Sequence, residues 1–211
     1  MAPLLFTIGS VVAAVLLALL LLTLRVPSHR IWPTPGAGTW QSYVFWPLFR
    51  GLNVLCFAVA FFDSGTHLGL PAAIRILAAL VLAGALALFL RSFFKLGRDN
   101  SYGATDGLVT NGIYRWTRNP QNAMLVVVYA SLALLADSPS TYVLCAAMMA
   151  VYVLMVMVEE PWLESVYGEP YRLYCRRVPR FFNWRRASVL WRALGRQWSR
   201  RKGMASRTRP A

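Results

Sequence analysis

The sequence has few charged residues and few side chains that bind metals or form disulfides. Only 14% of its 211 residues are charged, with eight Asp/Glu, three cysteines and two histidines. Cys56, Cys145 and Cys175 lie far apart and form no C-x-x-C pair, which argues against a disulfide framework and a zinc site. His29 and His67 fall in predicted connecting loops. We therefore predict no metal site.

Apolar residues, in contrast, make up 57% of the chain, well above the norm for soluble proteins. The first run, 4–24, is interrupted only by Thr7, Ser10 and Thr23 and is long enough to cross a membrane. No basic segment precedes this run, and it is longer than the apolar part of a signal peptide, so a membrane span is favoured over a cleaved leader.

Further apolar runs predict additional spans at 44–62, 71–90, 123–136 and 141–158. The run at 123–136 is short, so it either extends back through Pro120 or is shielded by its neighbours. Together the runs predict an all-α integral membrane bundle of about five transmembrane helices. We divide the chain into N-terminal helices at 1–70, a core at 71–184 and a basic tail at 185–211.

Arg50 lies inside the second predicted span. An arginine in such a position is either functional or extends its guanidinium group toward the nearer interface. Because Arg50 is only about two helical turns from the start of the predicted span, the sequence favours the interfacial arrangement.

The sign of the charge alternates from one connection between the predicted spans to the next. Arg25 and Arg30 lie in the first connection, five Lys/Arg in 91–122 and thirteen in 172–211, whereas the second and fourth contain Asp63 and Asp137. By the positive-inside rule, the N-terminus is predicted outside and the C-terminus in the cytosol. This topology places 108–122 and the later Glu-Glu pair on the same, cytosolic side.

The net charge of +14 comes almost entirely from the last forty residues, which contain no acid. Such a cluster beyond a membrane span is typical of contact with anionic lipid headgroups, and nucleic-acid binding is disfavoured. We predict an interfacial segment up to about residue 198 and disorder at 199–211.

Glu159 and Glu160 are adjacent acids at a predicted helix end, since Pro161 follows them and a short amphipathic helix is predicted from there to Tyr167. Negative charge at a helix C-terminus is unfavourable without a partner. The two glutamates are therefore either solvated, paired with arginines such as Arg115 and Arg118, or functional.

The passage 108–122 is polar and rich in turn-forming residues. Gly112 permits a tight turn, Asn119 is a predicted N-cap before Pro120, and Tyr114 contributes a ring with a hydroxyl group. By themselves these residues predict a polar pocket without specifying a reaction.

The passage reads Leu-Val-Thr-x-Gly-x-Tyr-Arg-x-x-Arg-Asn-Pro and is followed by Glu-Glu, then Tyr-Gly-Glu-x-Tyr-x-x-Tyr and Arg-Val-Pro-Arg-Phe. In order, spacing and membrane placement, this set resembles the isoprenylcysteine carboxyl methyltransferase and phospholipid methyltransferase superfamily over about 71–183. The resemblance implies an S-adenosylmethionine site and a lipidic or small hydrophobic acceptor that enters from the bilayer. The cofactor residues that it implies are Asp106, Gly107, Leu108, Val109, Tyr114, Asn119, Pro120, Gln121, Asn122 and Glu159.

The chain departs from the family pattern at Asn119 and Asn122, where the family usually has His and Tyr. Met155 stands where the prenylcysteine enzymes place an arginine, which disfavours a prenylcysteine carboxylate as acceptor. Transfer of a sulfonium methyl group needs alignment and exclusion of water but no metal. For a proton that must leave the acceptor, the candidate catalytic residues are Glu160, Tyr114 and Tyr171.

Two other functions are compatible with the sequence. One is a membrane reductase of the sterol-reductase type, which shares a related helical core. The other is a non-catalytic membrane adaptor that acts through its arginine-rich tail. The sequence gives no prediction of the oligomeric state.

Overall fold

The computed structural model describes residues 1–65, 67–96 and 107–181, and these ranges contain helices and no strand. The predicted all-helical fold is confirmed. The α-helices are α1 Ala2–Arg25, α2 Trp40–Phe62, α3 Ala72–Leu96, α4 Pro120–Ala136, α5 Pro139–Tyr167 and α6 Glu169–Arg177. Short 3-10 turns occur at Pro27–His29 and Gly112–Arg115.

Four of these helices, α1, α2, α3 and α5, are long and apolar enough to cross a membrane. Helix α4 is also apolar but has only 17 residues, about 26 Å of helix, against a hydrocarbon core of about 30 Å. It begins at Pro120, as predicted by the alternative in which the apolar run extends back through this proline.

The helices form one bundle around a shared apolar core. Helix α1 packs against α2 and α5, and α4 packs between α3 and α5. Leu16, Phe45, Tyr129 and Met148 are fully buried where these helices meet. Large apolar side chains such as Leu80 point outward, as expected for helices in contact with lipid.

Capping explains where two helices start. The Thr39 side chain accepts a hydrogen bond from the Ser42 amide at 3.4 Å, so α2 begins at Trp40, before the predicted 44. Ser138 accepts one from the Thr141 amide in the same way, and Pro139 occupies the first turn of α5. Helix α3 continues to Leu96, beyond the predicted end near 90.

The prediction that the fifth helix ends near Glu159 and Glu160 was wrong. Helix α5 continues through Pro161 to Tyr167, and Gly168, with φ +59°, follows its end. An internal proline costs roughly 3 kcal/mol, because it removes one backbone hydrogen bond and crowds the preceding turn. Tertiary contacts lie on both sides of Pro161: Glu160 pairs with Arg118, and Leu163 packs against the cluster of Tyr171 and Tyr174.

Polar contacts fasten the bundle at the end where α2 and α4 finish. Ser138 donates a hydrogen bond to Asp63, which lowers the pKa of the Asp63 carboxyl group. Asp137 accepts one from the Leu70 amide at 3.1 Å. These contacts fix the ends of four helices. The cavity described next lies at the opposite end.

Candidate functional site

A cavity of about 630 Å³ opens among the other ends of the long helices. Its walls come from α2, α3, α4, α5 and α6, from the connector between α1 and α2, and from the passage that precedes α4. It is within the usual size range of small-molecule and cofactor sites.

The structure brings the sequence-predicted residues together in this cavity. Of the ten residues that the resemblance assigns to the cofactor, nine line the cavity, and Asp106 lies outside the described residues. Among the three catalytic candidates, Tyr114 and Tyr171 line it, whereas Glu160 does not. The cofactor residues in the lining are Gly107, Leu108, Val109, Tyr114, Asn119, Pro120, Gln121, Asn122 and Glu159.

The passage before α4 is held in place by the C-terminal segment. The Tyr174 hydroxyl of α6 donates a hydrogen bond to the Tyr114 carbonyl at 2.7 Å. The Arg118 amide donates to the Pro179 carbonyl at 3.0 Å, and the Thr117 hydroxyl donates to the Arg180 carbonyl at 3.0 Å. These hydrogen bonds join segment 174–180 to segment 114–118. We call this set of contacts the C-terminal clasp.

Asn119 occupies the N-cap position of α4, but its side chain does not cap the helix. Its amide nitrogen Nδ2 instead donates to the Arg180 carbonyl at 3.1 Å. The predicted capping hydrogen bond is absent, because the bond from Nδ2 orients the side chain toward the C-terminal segment. Asn119 still lines the cavity.

Glu160 lies at the centre of an ion-pair cluster. Its Oε1 is 2.9 Å from Arg118 Nη2, and its Oε2 is 2.6 Å from Arg180 Nη2. The predicted pairing with Arg118 is present, and Arg180 takes the place of the predicted Arg115, which is exposed. The charge of Glu160 also raises the pKa of Arg180 through a direct hydrogen bond.

Glu159 points elsewhere and meets a different partner. Its Oε2 accepts a hydrogen bond from the indole Nε1 of Trp32 at 3.2 Å. Trp32 is only 4% exposed and stacks on Phe45, with ring centroids 4.8 Å apart. Trp32 therefore lies inside the protein beside a cavity-lining carboxylate.

The two tyrosine candidates are buried and remain protonated at neutral pH. Burial raises the pKa of Tyr114 well above its usual value, with further contributions from Tyr174 and Glu159, although a hydrogen bond with Gln121 opposes the rise. Burial and the charge of Glu160 raise the pKa of Tyr171 in the same direction. A protonated phenol donates hydrogen bonds readily and is a poor base.

The structure adds site residues that the sequence did not single out. Trp46 and Phe49 of α2 form an aromatic wall, Tyr152 of α5 closes the apolar end, and Phe89 and Phe93 come from α3. Their only sequence signal was aromatic character within predicted spans, which core packing explains equally well.

Arg118 was predicted as a pairing partner and also lines the cavity. Its side chain is 11% exposed, and its Nε is buried without a hydrogen-bond partner among the described residues. A guanidinium N–H that is buried without an acceptor is costly, so the position of Arg118 depends on its ion pair with Glu160.

One comparison with known proteins gave a match. Residues 73–170 match the family model for phospholipid methyltransferases. The match confirms the resemblance to the isoprenylcysteine carboxyl methyltransferase and phospholipid methyltransferase superfamily and, with the apolar helices, supports a membrane methyltransferase in general terms. Comparison with curated proteins and with solved structures gave no match.

Proposed function

We propose that this membrane methyltransferase transfers a methyl group from S-adenosylmethionine to a lipidic or small hydrophobic acceptor. One observation carries the proposal: nine residues that the sequence motifs assign to the cofactor, from 107 to 159, line a single cavity. Two stretches of chain that are far apart in sequence supply these residues.

The cavity suits S-adenosylmethionine in its size and in its polar groups. The Glu159 carboxylate can accept hydrogen bonds from ribose hydroxyls, and the positive charge of Arg118, which also lines the cavity, can attract the carboxylate of the methionine part. Tyr114 and the aromatic wall offer flat surfaces for the adenine ring. Asn119 and Asn122 add amide donors and acceptors.

Bound S-adenosylmethionine supplies an activated methyl group, and the residues of the chain position the ligand and exclude water. Trp46, Phe49 and Tyr152 exclude water from the apolar part of the cavity, which favours transfer to the acceptor over hydrolysis. Tyr114 donates a hydrogen bond to a ligand. Glu160 holds Arg118 in place through their ion pair and does not act as the base.

The acceptor enters from the membrane between α2 and α3. Both helices pack against other parts of the bundle, with little or no direct packing between their described residues. Val54 of α2 lines the cavity and is 66% exposed, so the cavity reaches the outer surface of the bundle at this point. An opening between apolar helices favours a membrane-borne acceptor over a soluble one.

We place the cavity at the cytosolic side of the membrane. Arg25 and Arg30 of the first connection lie at the cavity end, as do Arg91, Arg115 and Arg118, whereas Asp63 and Asp137 lie at the opposite end. The positive-inside rule then gives an N-terminus outside. Anionic lipid headgroups are the proposed partners of the 185–211 tail, which lies outside the described residues.

Methyl transfer is tested with the purified protein in liposomes of mixed lipids and S-adenosylmethionine radiolabelled in its methyl group. Radioactivity should move into the organic extract with the wild type and not with Glu159→Ala. A thermal-shift assay separates the reductase alternative: stabilisation by S-adenosylmethionine alone supports the proposal, and stabilisation by NADPH alone overturns it.

A further inference from the structure

Arg50 is a charged residue well inside a membrane-spanning helix. It lies ten residues after Trp40, the start of α2, which is about 15 Å along a helix of 23 residues. Charged side chains at such depth are costly and usually face a protein interior or an aqueous cavity. Arg50 is exposed and lines the cavity, so its guanidinium group lies at the mouth of the candidate site.

The guanidinium group is held in place by an aromatic ring. Its Cζ lies 5.1 Å from the ring centroid of Trp46, one turn toward the start of α2. Side chains on a helix lean toward its N-terminus, so this contact draws the charge toward the polar part of the cavity. A cation–π contact positions the charge and leaves its in-plane N–H donors available.

Arg50 has no acidic partner among the described residues. The cavity contains two arginines and one glutamate. Arg118 is paired with Glu160, and Glu159 accepts a hydrogen bond from Trp32. The ion pairs in the described part of the chain involve Arg118, Arg172 and Arg180 and leave Arg50 without one.

We propose that Arg50 binds an anionic group, a phosphate or a carboxylate, on the acceptor and thereby selects amphiphiles that carry one. Val54 and Phe89 line the same cavity as Arg50 and provide an apolar path for the acceptor's hydrocarbon part. A guanidinium group binds either anion through paired hydrogen bonds. The inference rests on the proposed function and adds a specificity residue on α2, outside the matched region 73–170.

Binding of three single-chain probes to the full-length protein in detergent tests this inference. Dodecyl phosphate, dodecanoate and dodecanol share one hydrocarbon chain and differ in the head. With S-adenosylmethionine present, at least one anionic probe should bind the wild type about ten-fold more tightly than dodecanol. Arg50→Gln should abolish this preference and leave the Kd of dodecanol unchanged.

Arg91→Gln is the matched control, since Arg91 is an exposed arginine at the same end of the bundle and does not line the cavity. It should keep the wild-type preference. Tighter binding of dodecyl phosphate identifies a phosphate-bearing acceptor, and tighter binding of dodecanoate identifies a carboxylate. A preference that is absent from the wild type, or that survives in Arg50→Gln, overturns the inference.

The Kd of S-adenosylmethionine, measured on the same samples, separates this inference from the proposed function. An unchanged Kd in Arg50→Gln shows that the variant is folded and that Arg50 acts on the acceptor alone. If the wild type does not bind S-adenosylmethionine but prefers anionic probes through Arg50, the proposed function fails and the anion site stands.

Discussion

Trp32 and Glu159 are separated by 127 residues and are joined by one hydrogen bond. The bond uses one oxygen of the carboxylate and fixes the direction in which the other points. It also attaches the connector after α1 to the cavity end of α5. Trp32 thus serves as a positioning residue for the carboxylate that we assign to the cofactor.

Replacing Trp32 with Phe should therefore weaken S-adenosylmethionine binding. Phe preserves the stacking on Phe45 and removes the indole N–H. A hydrogen bond to a charged group contributes roughly 1.5–3 kcal/mol, so the Tm should fall somewhat. The carboxylate is then no longer held toward the cavity, and the Kd should rise about ten-fold. Calorimetry in detergent measures the Kd.

Trp40→Phe provides the control, because Trp40 is 57% exposed and does not line the cavity. It should bind the cofactor as the wild type does. Equal Kd values for Trp32→Phe and Trp40→Phe would refute a positioning role for Trp32.

Replacing Glu160 should lower the Tm of the protein more than it lowers the rate of methyl transfer. Glu160→Gln keeps the size of the side chain but leaves Arg118, 11% exposed, without its counter-charge. Breaking a buried ion pair on one side costs about 3 kcal/mol, so the Tm should fall by about 5–10 °C in a thermal-shift assay. A stable variant that has lost turnover would instead favour Glu160 as a base.

Glu159 lines the cavity and Glu160 does not, and the sequence alone could not predict this difference. The pair predicted a polar site, and the resemblance selected Glu159. Adjacent residues on a helix point about 100° apart, so the two carboxylates face different surroundings. Which of them faces the cavity depends on the rotation of α5, which is set by packing against other helices.

At the scale of elements, the C-terminal clasp connects α6 to the passage before α4. Tyr174 is buried, and its hydroxyl satisfies the Tyr114 carbonyl. The short helix α6 therefore supports the cavity wall from behind, although it contributes few cavity residues itself.

Tyr174→Phe should loosen this clasp. The change leaves a buried carbonyl without its donor, at a cost of about 1–3 kcal/mol. Amide hydrogen exchange of segments 112–118 and 169–180 should become faster, whereas exchange in α1 should not change. Tyr43→Phe is the control, since Tyr43 is 71% exposed, and faster exchange in that variant would remove the basis for this account.

The helices could be predicted from long apolar runs, but several of their boundaries could not. Proline normally signals a helix end, yet α5 continues through Pro161 because contacts on both sides hold it. Asn119 has the residue type of an N-cap, but a carbonyl from the C-terminal segment attracts its side chain. In both cases tertiary contacts outweigh a local preference.

At the scale of the whole molecule, the cavity combines the matched region with helices outside it. Trp46, Phe49 and Arg50 come from α2, which precedes the family match. The family pattern indicated the residues that we propose for the cofactor. The acceptor side required the three-dimensional arrangement, because nothing in the sequence of α2 specifies which of its faces meets the cavity.

Removal of 185–211 should leave cofactor binding intact. The described lining of the cavity ends at Tyr174, and the clasp ends at Arg180. The truncated protein should bind S-adenosylmethionine with the wild-type Kd while losing affinity for vesicles that contain anionic lipid. Loss of cofactor binding on truncation would show that the tail is part of the site.

Titration calorimetry on the purified protein in detergent measures whether the cavity binds S-adenosylmethionine through Glu159. We expect saturable binding at one site in the wild type and at least ten-fold weaker binding in Glu159→Ala. The folded state of the variant is checked by its Tm. The absence of binding in the wild type, or equal Kd values for the wild type and Glu159→Ala, would show that Glu159 does not hold the cofactor in this cavity.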